Sequence, residues 1–121
     1  HAYILGMPLN RFDAGASPMV VWQGSHKIMQ SAFQDAFAGM TDADIRQTDI
    51  TDLYQEVRKH VFDTCERVEV HAHPGEAYVL HPMCLHGVAP WDTAAHAPPE
   101  GRMVAYYRPE LRSTLDWLNI T

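Results

Sequence analysis

A chain of 121 residues is long enough for one domain with a modest core. Its 46% hydrophobic and 20% charged residues are those of an ordinary globular domain, and no apolar run reaches the length of a membrane span. A formal net charge of −6 without a basic cluster argues against nucleic acid or an anionic membrane as partner, and two cysteines, Cys65 and Cys84, make no disulfide framework and fit a reducing, cytoplasmic compartment.

The chain opens at His1 and passes at once into a strand over residues 2–9 with apolar side chains on both faces. Such a strand requires cover on both sides. So abrupt a start is expected of the C-terminal part of a longer protein, with 1–121 forming a single domain. A turn-rich connection, Asn10 to Pro18, leads to a second strand, Met19 to Gln23, which ends at Gly24-Ser25-His26-Lys27. Residues 28–38 carry helical spacing through Ile28, Met29, Phe33 and Phe37, and Gly39 closes the helix. Thr41-Asp42-Ala43-Asp44 is a polar start signal. Thr51 or Asp52 then caps a second helix with Leu53, Val57 and Val61 at i, i+4, i+8, ending near Thr64.

Three short strands with turns between them follow an alternating stretch, Arg67 to His73. Pro74-Gly75 is a turn, Glu76 to Leu80 a strand, and Met83 to Gly87 a strand that places Cys84 and His86 on one face and Met83 and Leu85 on the other. From Arg102, the alternation sets Arg102, Val104, Tyr106 and Arg108 against Met103, Ala105 and Tyr107. An arginine among apolar residues at a strand start needs a partner, and its planar fork suits a carboxylate. The tail, Pro109 to Leu118, reads as a short helix with Leu111, Leu115 and Leu118 inward. Strands in two groups around a helical insertion at 28–64 predict a mainly β fold, a sandwich or barrel rather than a doubly wound sheet.

Gly24-Ser25-His26-Lys27, then Gly75-Glu76, an apolar strand, His86-Gly87 and Arg102 follow in the order of a known family. With Gln23 where proline is usual, this pattern resembles the phytanoyl-CoA dioxygenase-like family of iron(II)/2-oxoglutarate oxygenases. The resemblance implies a double-stranded β-helix (jelly-roll, cupin-like) portion with a helical insertion. It implies His86 as the distal iron(II) ligand, Arg102 as the anchor of the 2-oxoglutarate carboxylate, and a small-molecule substrate. Such enzymes hold iron(II) with two histidines and one carboxylate, leaving positions open for cosubstrate and dioxygen. No histidine here is followed two positions later by an acid, so the His-x-Asp/Glu pair is expected upstream of Ala2. Trp91 stands roughly where many relatives carry asparagine, and Arg108 is the alternative carboxylate anchor.

Other readings stand beside this one. His71-Ala72-His73 with Glu76 looks like a cupin metal motif, and a metal-free binding or structural half-barrel is a third possibility. Five of the eight histidines lie between His60 and His86, and most are expected at the surface or in hydrogen bonds. Ser25 and His26 are expected to fix a turn, with Gly24 permitting a close bend. A Cys84–His86 dyad is conceivable, and Tyr3, Trp22 and Tyr106 are most simply core aromatics.

Overall fold

The computed structural model describes residues 1–121, with the element order β1 (Ile4–Pro8), β2 (Met19–Trp22), α1 (Ser25–Ala36), α2 (Asp42–Gln47), α3 (Thr51–Thr64), β3 (Arg67–Val70), β4 (Tyr78–Leu80), β5 (His86–Val88), β6 (Val104–Tyr107) and α4 (Thr114–Leu118). The strands form two three-stranded sheets, β4-β1-β6 and β3-β2-β5, in which every pairing is antiparallel. Consecutive strands repeatedly change sheet. Ile4 and Leu80 of the first sheet bury against Met19 of the second, with Val21, Val70, Tyr78 and Tyr106 packed around them. The two sheets therefore face one another across an apolar seam. Full burial of a side chain such as Ile4 contributes about 1.5–3 kcal/mol.

The helices, with Met83 and Leu85, build a second cluster. Met29, Phe33 and Phe37 of the first helical block meet Ile45, Val57, Val61 and Leu118. The i, i+4 spacing expected of α3 is realised, since Val57 and Val61 are buried and Leu53 packs beside them. Three helices occupy the insertion, and helix outweighs strand in the chain as a whole. The expected mainly β chain is thus a mixed α/β structure, because the strands are short and the insertion is almost wholly helical. The sheets do not close into a barrel.

Several expected boundaries move, each for a local reason. α1 starts at Ser25 rather than residue 28, because Gly24 adopts a left-handed φ of 79° and turns the chain straight from β2 into the helix. Neither Thr51 nor Asp52 caps α3; the N-cap is Ile50, and Asp49 accepts a hydrogen bond from the Thr51 amide. Thr41 does cap α2, in a reciprocal capping box with Asp44. β5 begins at His86, not Met83, since the Cys84 amide donates to the His81 carbonyl at 2.9 Å and closes a turn after Pro82. α4 begins after Ser113, whose hydroxyl accepts from the Asp116 amide. Leu115 is 42% exposed, and Trp117 takes the inward place, its ring 5.5 Å from that of Phe33. Tyr3, expected in the core, is 40% exposed.

Candidate functional site

Arg102 lies two residues before β6, and its backbone is held on both sides by one side chain. The Asn10 amide donates to the Gly101 carbonyl at 2.7 Å, and its oxygen accepts from the Met103 amide at 3.0 Å. This clamp carries the alternation of β6 back to Arg102, which shares the inward face of Val104 and Tyr106 while Met103 and Tyr107 are exposed. The guanidinium carbon stands 5.2 Å from the Phe12 ring centroid. Arg102 Nε is buried without a hydrogen-bond partner, and no carboxylate pairs with this arginine. An unmet buried donor costs about 1–3 kcal/mol.

The cavity beside it, about 50 Å³, is walled by both sheets, with Pro8, Tyr78 and Val104 from one and Val70 from the other. Phe12, His71 and His73 also line it. The Tyr78 hydroxyl donates to the Tyr106 hydroxyl at 3.0 Å. Burial pushes the Tyr78 phenol far up, the Tyr106 contact adds to this, and the charge of Arg102 pulls weakly the other way. Tyr78 can lie there because its strand partner is Gly6; a Cβ at that position would run into the tyrosine ring.

His86 opens β5 and pairs with Val21, on the same face of the sheet as the buried Met19. Its ring is exposed. Nδ1 lies 2.7 Å from the Cys84 carbonyl oxygen, which can only accept, so Nδ1 carries a proton; in the neutral ring the Nε2 lone pair is then left for another partner. Metal-binding imidazoles commonly show this arrangement. The backbone leading to His86 is fixed from the Gly24-Ser25 turn. Ser25, fully buried, accepts from the Leu85 amide at 2.9 Å, and the Leu85 carbonyl accepts from the Trp22 amide at 3.0 Å. Ser25 therefore serves as the turn-fixing residue that its motif predicts.

His86 and Arg102 stand on different sheets and line different cavities, the Arg102 cavity between the sheets and the His86 cavity against the helices. Arg108 is exposed, with its guanidinium 5.6 Å from the Tyr106 ring centroid, and it does not line the Arg102 cavity. The Cys84 thiol turns to Ser25 Oγ at 3.7 Å, and burial pushes it up; it makes no dyad with His86. His71 pairs with Glu69 at 3.2 Å, and the Glu76 carboxylate accepts from the His73 amide at 2.7 Å. His71, His73 and Glu76 are not gathered into a ligand set, and no group of three or more His, Cys, Asp or Glu side chains is placed to hold a metal.

Two contacts went unread in the sequence. One is the Asn10 clamp. The other is a pair of tilted imidazoles, His26 and His81, with ring centroids 4.9 Å apart. Burial lowers the His26 pKa below its ordinary value, and the neighbouring His81 and Lys27 lower it further. No helix is long and apolar enough to cross a membrane. No family model, curated protein or solved structure matches the chain.

Proposed function

We propose that the chain is the double-stranded β-helix portion of an iron(II)- and 2-oxoglutarate-dependent oxygenase of the phytanoyl-CoA dioxygenase-like kind, hydroxylating a small molecule. The observation that carries this reading is the unpartnered Arg102 Nε, buried at a cavity between two facing sheets. A half-buried arginine whose Nε lacks an acceptor fits a carboxylate, which offers acceptors for its planar fork. Arg102 rather than Arg108 takes that role, because Arg108 is exposed and outside the cavity.

Two further features support the reading. His86, on the opposite sheet, presents a free Nε2 as an iron ligand would. The winding of six antiparallel strands between two sheets fits part of an eight-stranded jelly roll, with one strand short in each sheet. A strand laid against the unpaired edge of β5 would bring the remaining histidine and carboxylate beside His86. Iron(II) with 2-oxoglutarate and dioxygen supplies the oxidation of an unreactive C–H bond. The chain's own residues do the rest. Arg102 orients the cosubstrate's distal carboxylate, Phe12 and Tyr78 wall its end off from water, and the Cys84 carbonyl holds the His86 ring in its metal-binding tautomer.

The test is iron-dependent conversion of 2-oxoglutarate to succinate by the polypeptide that carries this chain. His86→Ala is expected to abolish both iron binding and succinate formation. Undiminished iron-dependent turnover in His86→Ala would overturn the assignment.

A further inference from the structure

The largest apolar cavity of the molecule opens beside His86, and nothing so far gives it a role. It has a volume of about 350 Å³ and lies between the helices and the 82–86 segment. Met29 and Phe33 of α1, Ile50 and Tyr54 at the start of α3, and Trp117 of α4 form its walls, and Met83 and Leu85 belong to its floor. His86 stands at its rim.

No lysine, arginine, aspartate or glutamate lines this cavity. Each of the other cavities above 300 Å³ has at least one arginine, lysine or carboxylate side chain in its wall. The polar side chains here are Tyr54, Trp117, Cys84 and, at the rim, the His86 imidazole; the hydroxyl, indole and thiol carry no formal charge in their ordinary forms. Transfer of a charged group into such a place without a partner is strongly unfavourable, whereas apolar surface gains from it. The volume falls within the range of small-molecule sites, roughly 300–1,000 Å³, and walls from three helices make a concave pocket rather than a flat face.

We infer that this cavity binds an uncharged, mainly apolar small molecule of about the size of a substituted naphthalene, and that this molecule is the substrate class offered to the centre at His86. The second half of the inference rests on the oxygenase reading; the first half does not. Position gives the link. A ligand seated against Tyr54 and Trp117 lies next to His86, the iron ligand of the oxygenase reading, while Arg102 and its smaller cavity hold only the distal carboxylate of the cosubstrate. The molecule thereby separates its ligands by charge, the anion at the guanidinium and the neutral molecule among the helices.

The test uses prodan, an uncharged naphthalene fluorophore whose emission shifts to the blue in an apolar site. One saturable site per chain is expected, with Ile50→Glu weakening binding at least about tenfold by placing a carboxylate in the wall. Tyr54→Glu, at a half-buried helix position, should do the same and serves if Ile50→Glu does not fold. Val79→Glu, at a residue 65% exposed on β4, should leave binding unchanged. A naphthalenesulfonate of similar size should bind at least about tenfold more weakly than prodan. The inference is overturned by non-saturable binding, by equal binding of the sulfonate, by indifference to both glutamates, or by a concentration-dependent dimer that closes the cavity. Prodan binding requires neither metal nor cosubstrate, so its failure leaves the iron reading to the His86→Ala assay, and failure of that assay leaves the cavity standing.

Discussion

Arg102 sits in a wall that the chain completes by itself. Asn10 clamps the peptide groups on either side of it, Phe12 covers its guanidinium, and the Tyr78–Tyr106 pair closes the cavity beyond. His86 sits on the opposite sheet with its ring exposed, its backbone fixed through Ser25 and its Nε2 free. The first region is short of an acceptor and the second is short of neighbours. The proposed reading gives the unpaired Arg102 Nε an anion as partner and the exposed His86 imidazole a metal shared with other ligands. On the proposed reading, the carboxylate end is complete within these residues and the metal end is open to strands or ligands added at β5.

Filling the space under Tyr78 is the most damaging way to break that contrast. In Gly6→Val the new side chain meets the tyrosine ring, and overpacking of this kind costs up to about 3 kcal/mol. Urea unfolding should register that loss, and displacement of Tyr78 should open the Arg102 cavity. An unchanged midpoint would mean that the closed end is softer than its packing implies. Loosening the other end should cost less. Ser25→Ala leaves the buried Leu85 amide without its acceptor, a loss of about 1–2 kcal/mol. Amide exchange at Leu85 should accelerate accordingly, and unaltered protection would remove Ser25 from its supporting role.

How much of this was legible in the sequence differs between the two regions. The β6 alternation put Arg102 with Val104 and Tyr106, and that face is the one turned inward, because period-2 patterning survives wherever one side of a strand is buried. Helix α3 was legible for the same reason at a period of 3.6. The segment before His86 was not. Met83 and Leu85 have the spacing of a strand, yet they are buried by helices rather than by a sheet, and the turn after Pro82 holds them there. Asn10 was passed over as part of a turn, because its two partners lie more than 90 residues away. Leu115 gave way to Trp117, whose ring packs against Phe33 beside the buried Leu118.

The smallest expected effect concerns the histidine pair beside the Gly24-Ser25 turn. His26 has its pKa lowered from the ordinary 6.5, chiefly by burial and then by His81 and Lys27. The unfolded chain therefore binds the proton more readily. The neutral form's contribution to stability is present above about pH 6.5 and is lost as pH falls from there through the folded-state pKa. His26→Gln should flatten stability against pH in that window. An unaltered slope would place the pH dependence elsewhere.

The measurement that bears most directly on the central claim is calorimetric titration of 2-oxoglutarate into the protein and into Arg102→Lys and Arg108→Lys. Lysine keeps the charge but loses the fork that meets a carboxylate at two points. A charge-assisted contact of this kind contributes about 1.5–3 kcal/mol, so Arg102→Lys should weaken binding by roughly tenfold or more, while Arg108→Lys, changed at an exposed side chain, should bind as the unaltered protein does. Iron affinity at His86 should not move in either variant. Undiminished binding by Arg102→Lys, with or without loss in Arg108→Lys, would contradict the claim that Arg102, with its unpaired Nε, is the carboxylate anchor.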